Sequence, residues 1–262
     1  MLPVDKPYRW TSADVIRKVK FAAIRHFGTK NLKVGHAGTL DPLATGILLV
    51  CIGAATRHAE ELQRSPKEYV AGVTFGATTP SYDLEKDIDR FCPLDGVSEE
   101  ALQAALPGFL GEQEQAAPLF SAKSVDGVRA YETARRLLKE ARREGRAFDP
   151  GDVLQSSRIH IYDLELLSWS DSLAQDFADD GRGRIRVASV DGSGLPTAMI
   201  RVACSKGTYI RALARDLGEA LGSGAFLSSL RRTKNGGFDI SQAWTLDEVL
   251  AALAPDNTIQ NE

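Results

Sequence analysis

Hydrophobic residues near the N-terminus repeat every three or four positions, which is the spacing of an amphipathic helix. In residues 11–27 this repeat leaves the basic side chains largely on other faces. Thr11 and Asp14 can form a capping box at the start, and Gly28 stands where a helix commonly ends. The pattern therefore predicts a helix over residues 11–27, and the same spacing predicts another over residues 209–221.

Other apolar stretches have the length and composition of β-strands. Residues 47–52 form a short, partly β-branched run that stops at Gly53, so we expect a buried strand. Residues 198–204 alternate in the manner of a half-buried strand. Further strands are expected at residues 68–76, 159–169 and 184–190, and further helices at residues 98–106 and 130–143.

The order of these elements favours an α+β fold. Strands and helices follow one another without a regular β-α-β alternation, which argues against a doubly wound parallel sheet. We expect a mixed, mainly antiparallel central sheet flanked by helices, in a single domain over residues 1–254 followed by a polar tail at 255–262. Residues 171–195 are rich in Asp, Gly and Ser and are expected to form a mostly mobile surface excursion.

Composition narrows the class of protein. The 262 residues are 43% hydrophobic and 26% charged, which is ordinary for a globular protein. The chain shows neither a secretory leader nor an apolar run long enough to span a bilayer. Its three cysteines lie far apart, without the paired spacing of a zinc site or a disulfide framework. We therefore expect a cytoplasmic protein with no membrane attachment and no bound metal.

Charge is distributed unevenly, although the net charge is only −3. Residues 1–40, 129–147 and 201–234 contain 22 of the 32 Lys and Arg residues but only 7 of the 35 Asp and Glu residues. Clustered cations are expected on a surface that binds a phosphate backbone. Three solvated helix faces would give the same pattern, so charge alone leaves both readings open.

The loop from Gly35 to Gly46 has the most distinctive chemistry. Its glycines allow tight turns and a close approach of backbone to a bound group. One carboxylate, Asp41, stands among small and apolar neighbours and is followed by Pro42. Taken alone, an Asp-Pro pair is typical of an ordinary turn. The loop lacks the Gly-Lys-Ser/Thr ending of a P-loop.

This loop resembles the signature of the TruB family of tRNA pseudouridine synthases, in which a Gly-Thr/Ala-Leu-Asp-Pro-x-Ala-x-Gly run carries one essential aspartate. Other blocks resemble the remaining family motifs in the same order, between residues 4 and 238. They are Asp5-Lys6-Pro7, Lys67-Glu68-Tyr69, the segment from Ser121 to Arg135, the run from Cys204 to Arg211, and Leu230-Arg231-Arg232-Thr233.

The resemblance implies an activity and a set of site residues. Asp41 would be the catalytic carboxylate that isomerises uridine 55 in the T-loop of tRNA, after the base has been flipped into the pocket. Tyr69 would pack against this base, and Arg211 would form an ion pair with Asp41. Leu230 would line the pocket, and His36 would lie near the flipped nucleotide.

The resemblance also implies how the RNA is held. Residues 129–147 resemble a mobile thumb that closes over the T-arm, here long and strongly basic. The expected partner is therefore tRNA, bound by a monomer without an obligatory protein partner. Side chains expected to contact RNA are Arg17, Lys18, Lys20, Arg135, Arg136, Lys206 and Arg231.

The implied reaction breaks the N1–C1′ bond, rotates the uracil and joins C5 to C1′. No electron or group donor enters, so we expect no cofactor. The reaction needs a carboxylate able to act as nucleophile or base, with an arginine that keeps it ionised and oriented. It also needs a pocket that excludes water and a base extruded from its loop, at roughly a few kcal/mol.

The chain departs from the family at several points. Tyr8-Arg9-Trp10 replace the small residues that usually follow the opening Lys-Pro, and Phe120 replaces a tyrosine found in many members. From its length we also expect no full additional RNA-binding domain at the C-terminus, which many members have.

Three other functions fit part of the pattern. A non-catalytic tRNA-folding chaperone would need the basic surface but not Asp41, Tyr69 and Arg211 together. A guide-RNA-dependent synthase would be expected to have an added docking domain. A carboxylate-dependent hydrolase of small molecules would leave the clustered cations unexplained.

Overall fold

The computed structural model describes residues 1–118, 124–125, 128–129, 143, 156–173, 179, 181–191 and 194–255. The helices in this part of the chain are α1 (Ser12–Phe27), α2 (Ala59–Arg64), α3 (Glu99–Ala105), α4 (Ile210–Ala220) and α5 (Leu246–Ala252). The strands are β1 (Leu2–Lys6), β2 (Val34–His36), β3 (Thr45–Ile52), β4 (Lys67–Phe75), β5 (Ala77–Thr78), β6 (Arg90–Phe91), β7 (Gly111–Ala116), β8 (Ser124–Val125), β9 (Val128–Arg129), β10 (Ser156–Ser170), β11 (Thr197–Cys204), β12 (Ala225–Asn235), β13 (Phe238–Asp239) and β14 (Trp244–Thr245).

A mixed sheet forms the centre of the molecule. Its strand order is β14-β1-β3-β12-β4-β11-β10-β7, with β2 also paired to β3 and β13 to β12. The β1–β14 and β3–β12 pairs are parallel, and the other neighbouring strands are antiparallel. The predicted α+β fold with a mainly antiparallel sheet is confirmed.

The helices pack through the faces that their apolar spacing indicated. α1 begins at the predicted capping box of Thr11 and Asp14 and ends at Gly28, whose φ is +62°. Its buried side includes Val15, Val19 and Ala23. In α4, residues one and two turns apart are buried in the same core. The predicted strands at residues 47–52, 68–76, 159–169 and 198–204 and helices at residues 11–27, 98–106 and 209–221 are confirmed within a few residues at their ends.

The prediction for residues 184–190 is wrong, because no strand forms there. This stretch has no regular structure, yet Ala188 is buried and its N–H donates to the carbonyl of Leu84 at 2.8 Å. Part of the expected surface excursion therefore packs against the body of the protein. The basic helix expected at residues 130–143 and most of the thumb-like segment at 129–147 lie outside the described residues, as do residues 256–262 of the tail.

The connections at the edge of β3 determine where the Asp41 loop (residues 37–44) lies. Gly46 has a φ of +95°, and a Cβ there would lie 2.2 Å from the carbonyl oxygen of Arg232. Its N–H donates to Oδ1 of Asp5 at 3.0 Å. Only glycine allows β3 to approach β12 so closely, and the Asp41 loop consequently lies beside β12.

Candidate active site

A cavity of about 330 Å³ opens between the Asp41 loop and the start of α4. The first residues of β4 and the middle of β12 form its other walls. Its lining is both polar and apolar, with the carboxylate of Asp41, the phenol ring of Tyr69 and the side chain of Leu230. A concave site with a few converging polar groups is the usual form of a ligand pocket.

Asp41 and Arg211 form a two-point ion pair in this cavity. Nη2 of Arg211 donates to Oδ1 of Asp41 at 3.0 Å, and Nε lies 2.9 Å from Oδ2. The Arg211 side chain is 5% exposed, whereas the Asp41 side chain is 36% exposed. The carboxylate thus faces the cavity while the guanidinium holds it from behind in a fixed orientation.

The buried side of Arg211 rests on the Asp83 loop (residues 79–89), which joins β5 to β6. Nη1 of Arg211 donates to the carbonyl of Ser81 at 3.2 Å and lies 3.6 Å from Oδ2 of Asp83. Asp83 is held by the hydroxyl of Ser81 at 2.6 Å and the N–H of Glu85 at 3.0 Å. Sequence reasoning missed Asp83, because only folding brings it to Arg211.

The charges around Arg211 shift one another's pKa values. Burial lowers the pKa of Arg211, but the carboxylates of Asp41, Asp83 and Glu85 raise it by a larger amount. The pKa of Arg211 therefore lies above its ordinary value. Burial raises the pKa of Asp83 despite the opposing charge of Arg211. Burial and the nearby Asp83 charge raise the pKa of Glu85 to about 7. The guanidinium therefore stays charged, whereas Glu85 titrates near neutral pH.

Tyr69 and Leu230 provide the apolar walls. Tyr69 on β4 is 9% exposed, and Leu230 on β12 is 8% exposed. Burial raises the pKa of Tyr69 above its usual value, although the charge of Arg232 and a hydrogen bond from it lower it. The phenol is therefore neutral near pH 7, and its ring can lie against a bound base.

Two buried basic side chains hold the Asp41 loop through hydrogen bonds to its backbone carbonyls. Lys6 is fully buried, and its Nζ donates to the carbonyls of Pro7, Trp10 and Pro42. Burial lowers the pKa of Lys6 to about 7, against the opposing effect of Asp41. Arg232 is 1% exposed. Its Nε donates to the carbonyl of Ile47 at 2.7 Å and its Nη2 to that of Gly38 at 3.1 Å.

The structure brings some of the expected site residues together and not others. Asp41, Tyr69, Arg211 and Leu230 all line the cavity, and exposed Lys206 stands at its rim. His36 lies on β2 and is not among the lining residues.

The expected RNA-contacting cations lie in different places. Arg231 pairs with Asp5 at 2.7 Å instead of lining the cavity. Arg17, Lys18 and Lys20 are exposed on α1. Arg135 and Arg136 lie outside the described residues. Arg215, one turn after Arg211 on α4, pairs with Asp216 at 2.6 Å.

The described residues contain no cluster of three or more His, Cys, Asp or Glu side chains arranged to hold a metal ion. In the same part of the chain, none of the helices has the length and apolar character needed to cross a membrane.

Comparison with known proteins identifies close relatives. The chain is 45% identical to tRNA pseudouridine synthase B of Phocaeicola vulgatus, over 90% of this chain and 85% of that protein. It is 47% identical to the protein of the same name from Bacteroides thetaiotaomicron, over 88% of this chain and 83% of the relative. For the Thermus thermophilus protein of that name the identity is 39%, over 98% and 78%.

Among solved structures, the Cbf5 fold is similar. The crystal structure of a Cbf5-Nop10-Gar1 complex matches with a TM-score of 0.60 and 25% identity, over 95% of this chain. The chain spans about half (53%) of the length of that solved chain.

Family models cover most of the sequence. Residues 25–210 match the N-terminal domain of the TruB family pseudouridylate synthases. Residues 211–262 match the C-terminal domain of tRNA pseudouridylate synthase B. These matches, together with the relatives' identities over most of both chains, show that the protein belongs to the TruB family of pseudouridylate synthases.

Proposed function

We propose that the protein converts uridine 55 in the T-loop of tRNA to pseudouridine, with Asp41 as the catalytic carboxylate. The observation that carries this proposal is the ion pair of Asp41 and Arg211, which presents a fixed carboxylate to a cavity of about 330 Å³. The relatives named tRNA pseudouridine synthase B support tRNA as the substrate.

The site residues have distinct roles in this reaction. The carboxylate of Asp41 acts as nucleophile or base while the N1–C1′ bond breaks and C5 joins C1′. Arg211 holds the carboxylate in a fixed orientation toward the nucleotide. The neutral ring of Tyr69 packs against the detached uracil, and Leu230 closes the pocket beneath it. His36 acts outside the cavity, near the displaced part of the RNA loop.

The RNA lies over a surface that includes the exposed cations of α1 and the rim of the cavity. Lys18, Lys20 and Lys206 are exposed, and Arg17 is partly neutralised by Asp14 at 2.9 Å. Phosphate contacts of this kind fix the register of an RNA and offset the cost of base extrusion. Arg135, Arg136 and Arg231 complete the proposed set, and the reaction takes place in the cytoplasm.

A single catalytic domain over residues 1–254 acts as a monomer in this proposal. The arrangement of the sheet supports one domain, because β12 follows the end of the N-terminal family match and yet lies in the middle of the sheet. The Cbf5 structures are titled as complexes with further proteins. We expect activity here from the chain alone.

The test is release of tritium from tRNA transcripts labelled at C5 of uridine. The proposal predicts that the purified chain releases one equivalent from a wild-type transcript and none when position 55 is changed to cytidine. Release that persists with cytidine at position 55 would show a different target. Tight tRNA binding without release would instead support a non-catalytic chaperone.

A further inference from the structure

The turn between β1 and α1 has an unusual backbone at Arg9. Its φ is +64°, a left-handed conformation that residues other than glycine rarely adopt. Such strain persists where surrounding contacts over-determine it, and it often accompanies a functional constraint. Arg9 is also one of the residues that replace the small ones expected after Lys6-Pro7.

The side chain of Arg9 reaches into the segment before β11. Its Nε donates to the carbonyl of Ile185 at 2.7 Å, and its Nη1 donates to Oδ2 of Asp179 at 2.7 Å. The backbones are equally close, since a Cβ on Gly183 would lie 2.3 Å from Cβ of Arg9 and 2.9 Å from the carbonyl oxygen of Tyr8. The segment is thus packed directly onto the strained turn.

The same segment is attached to the Asp83 loop. The N–H of Ala188 donates to the carbonyl of Leu84 at 2.8 Å, and the guanidinium of Arg186 meets both carboxylate oxygens of Asp87 at 2.9 and 3.1 Å. The positive charges of Arg9 and Arg186 are therefore engaged with acids of this chain, which argues against a role for this surface in binding phosphate.

One apolar cluster joins the turn, the segment before β11, the Asp83 loop and the Asp41 loop. Tyr8 from the turn and Leu43 from the Asp41 loop pack with Leu84 from the Asp83 loop, and Ala188 completes the contact. Leu43 is two residues from Asp41, and Leu84 is the residue after Asp83. The two loops that contact Arg211 from opposite sides thus share one small core with residues 181–191.

We propose that Arg9 is a positioning residue that acts through a clasp, defined here as Arg9, Asp179 and residues 183–190. The clasp holds the Asp41 loop and the Asp83 loop at the spacing that lets Arg211 contact both carboxylates. This inference rests on the proposed role of Asp41.

The path from Arg9 to Asp41 is short. Nζ of Lys6 links the carbonyl of Trp10, at the end of the strained turn, to the carbonyl of Pro42 beside Asp41. A turn released from the clasp can shift this link and loosen the carboxylate. Small misplacements of a reacting group cost up to about 100-fold in rate, whereas RNA contacts elsewhere are untouched.

Arg9→Gly tests the clasp, because glycine adopts a positive φ without strain and the variant removes only the side-chain contacts. We expect kcat for tRNA to fall between about 5- and 100-fold with KM unchanged. Asp179→Asn should show a smaller loss of the same kind. The matched control is Arg182→Ala, which removes the ion pair that joins the same segment to Asp247 of α5 at 2.9 Å, away from both loops. This control should keep wild-type kcat.

An unchanged kcat in Arg9→Gly would overturn the clasp, as would an equal loss in Arg182→Ala. A raised KM with wild-type kcat would also overturn it and assign Arg9 to RNA binding. Arg9→Lys keeps the charge but cannot make both contacts, so full recovery in that variant would contradict the geometry. An inactive wild-type enzyme would count against the proposed function itself. When the wild type is active and Asp41→Asn is inactive, the proposed function holds, and the Arg9 variants then test the clasp alone.

Discussion

Arg211 is the residue on which the chemistry of the site converges. Its buried guanidinium contacts Asp41 on the cavity side and Asp83 on the other, so each carboxylate limits where the arginine can lie. A buried cation of this kind must be paired, since an unpaired charge in the interior is strongly destabilising. The orientation of Asp41 consequently depends on Asp83, which does not line the cavity.

Asp83→Asn tests that dependence. The variant keeps the size of the side chain but removes one of the charges facing Arg211, so we expect kcat to fall about tenfold or more with tRNA affinity retained. Steady-state kinetics together with an RNA-binding assay would measure this. Asp89→Asn is the control for loop integrity, because Asp89 lies in the same loop but is exposed and accepts a hydrogen bond from the hydroxyl of Thr78 at 2.7 Å. Equal losses in both variants would contradict a specific role for Asp83.

Glu85 gives a prediction for pH dependence. Its folded pKa of about 7 exceeds its ordinary value of 4.5, so its contribution to stability is present below about pH 4.5 and lost as pH rises through about 7. Glu85→Gln should therefore lose less unfolding free energy than the wild type between these pH values. Urea unfolding at several pH values would show it, with exposed Glu112→Gln as control. Parallel pH profiles for wild type and Glu85→Gln would contradict the assignment.

At the residue scale, the sequence identified the site residues that stand in contiguous motifs. Asp41, Tyr69, Arg211 and Leu230 each stand in a recognisable block, and all four line the cavity. Asp83 stands in no such block, and the blocks that contain Lys6 and Arg232 did not reveal that these side chains support the Asp41 loop. Their partners are distant in the chain, and neither periodicity nor spacing encodes a contact that only the sheet creates.

Among the elements, α1 and the Asp41 loop are coupled through Ser12. Its hydroxyl donates to the carbonyl of Leu40 at 3.0 Å and accepts from the N–H of the same residue at 2.9 Å. The preceding Thr11 only caps the helix. Neighbouring hydroxyls at the start of one helix therefore have separate tasks, one for the loop and one for the helix.

Ser12→Ala and Thr11→Ala separate these tasks. Removing the Ser12 hydroxyl leaves buried backbone groups of Leu40 unsatisfied and should cost about 1–3 kcal/mol, with a lower kcat. Loss of the cap in Thr11→Ala should cost about 1 kcal/mol of stability and leave kcat unchanged. Thermal unfolding and turnover of both variants provide the measurement. A kcat loss in Thr11→Ala equal to that in Ser12→Ala would refute the distinction.

Apolar periodicity predicted most elements because they bury one continuous face. It failed at residues 184–190, where alternating Arg and apolar residues resemble a strand. Arg186 instead pairs with Asp87 of a distant segment, and no strand among the described residues pairs with this backbone. Ion pairs and one small apolar cluster determine the path of this segment. The local alternation of apolar and polar residues predicts neither.

At the scale of the whole molecule, charge separation is the feature that suits a polyanionic substrate. The basic windows of the sequence include α1, on which Lys18 and Lys20 are exposed. Neither lysine takes part in an ion pair with another of the described residues. Each phosphate contact releases counterions and adds about 0.9 to the slope of log affinity against log salt concentration.

A Lys18→Ala, Lys20→Ala double variant should lower that slope by about one to two and weaken tRNA binding at low salt. Binding measured between low and moderate salt would reveal the change. Arg90→Ala removes an exposed cation of the β5–β6 hairpin and should leave the slope unaltered. An identical slope for the double variant and wild type would remove α1 from the proposed RNA surface.

The most direct measurement compares wild type with Asp41→Asn in tritium release from tRNA labelled at C5 of uridine, with RNA binding followed in parallel. The proposed chemistry predicts release by the wild type and none by the variant, while both bind tRNA, because the amide can act neither as nucleophile nor as base. Release by Asp41→Asn at the wild-type rate would contradict the assignment of Asp41 as the catalytic carboxylate.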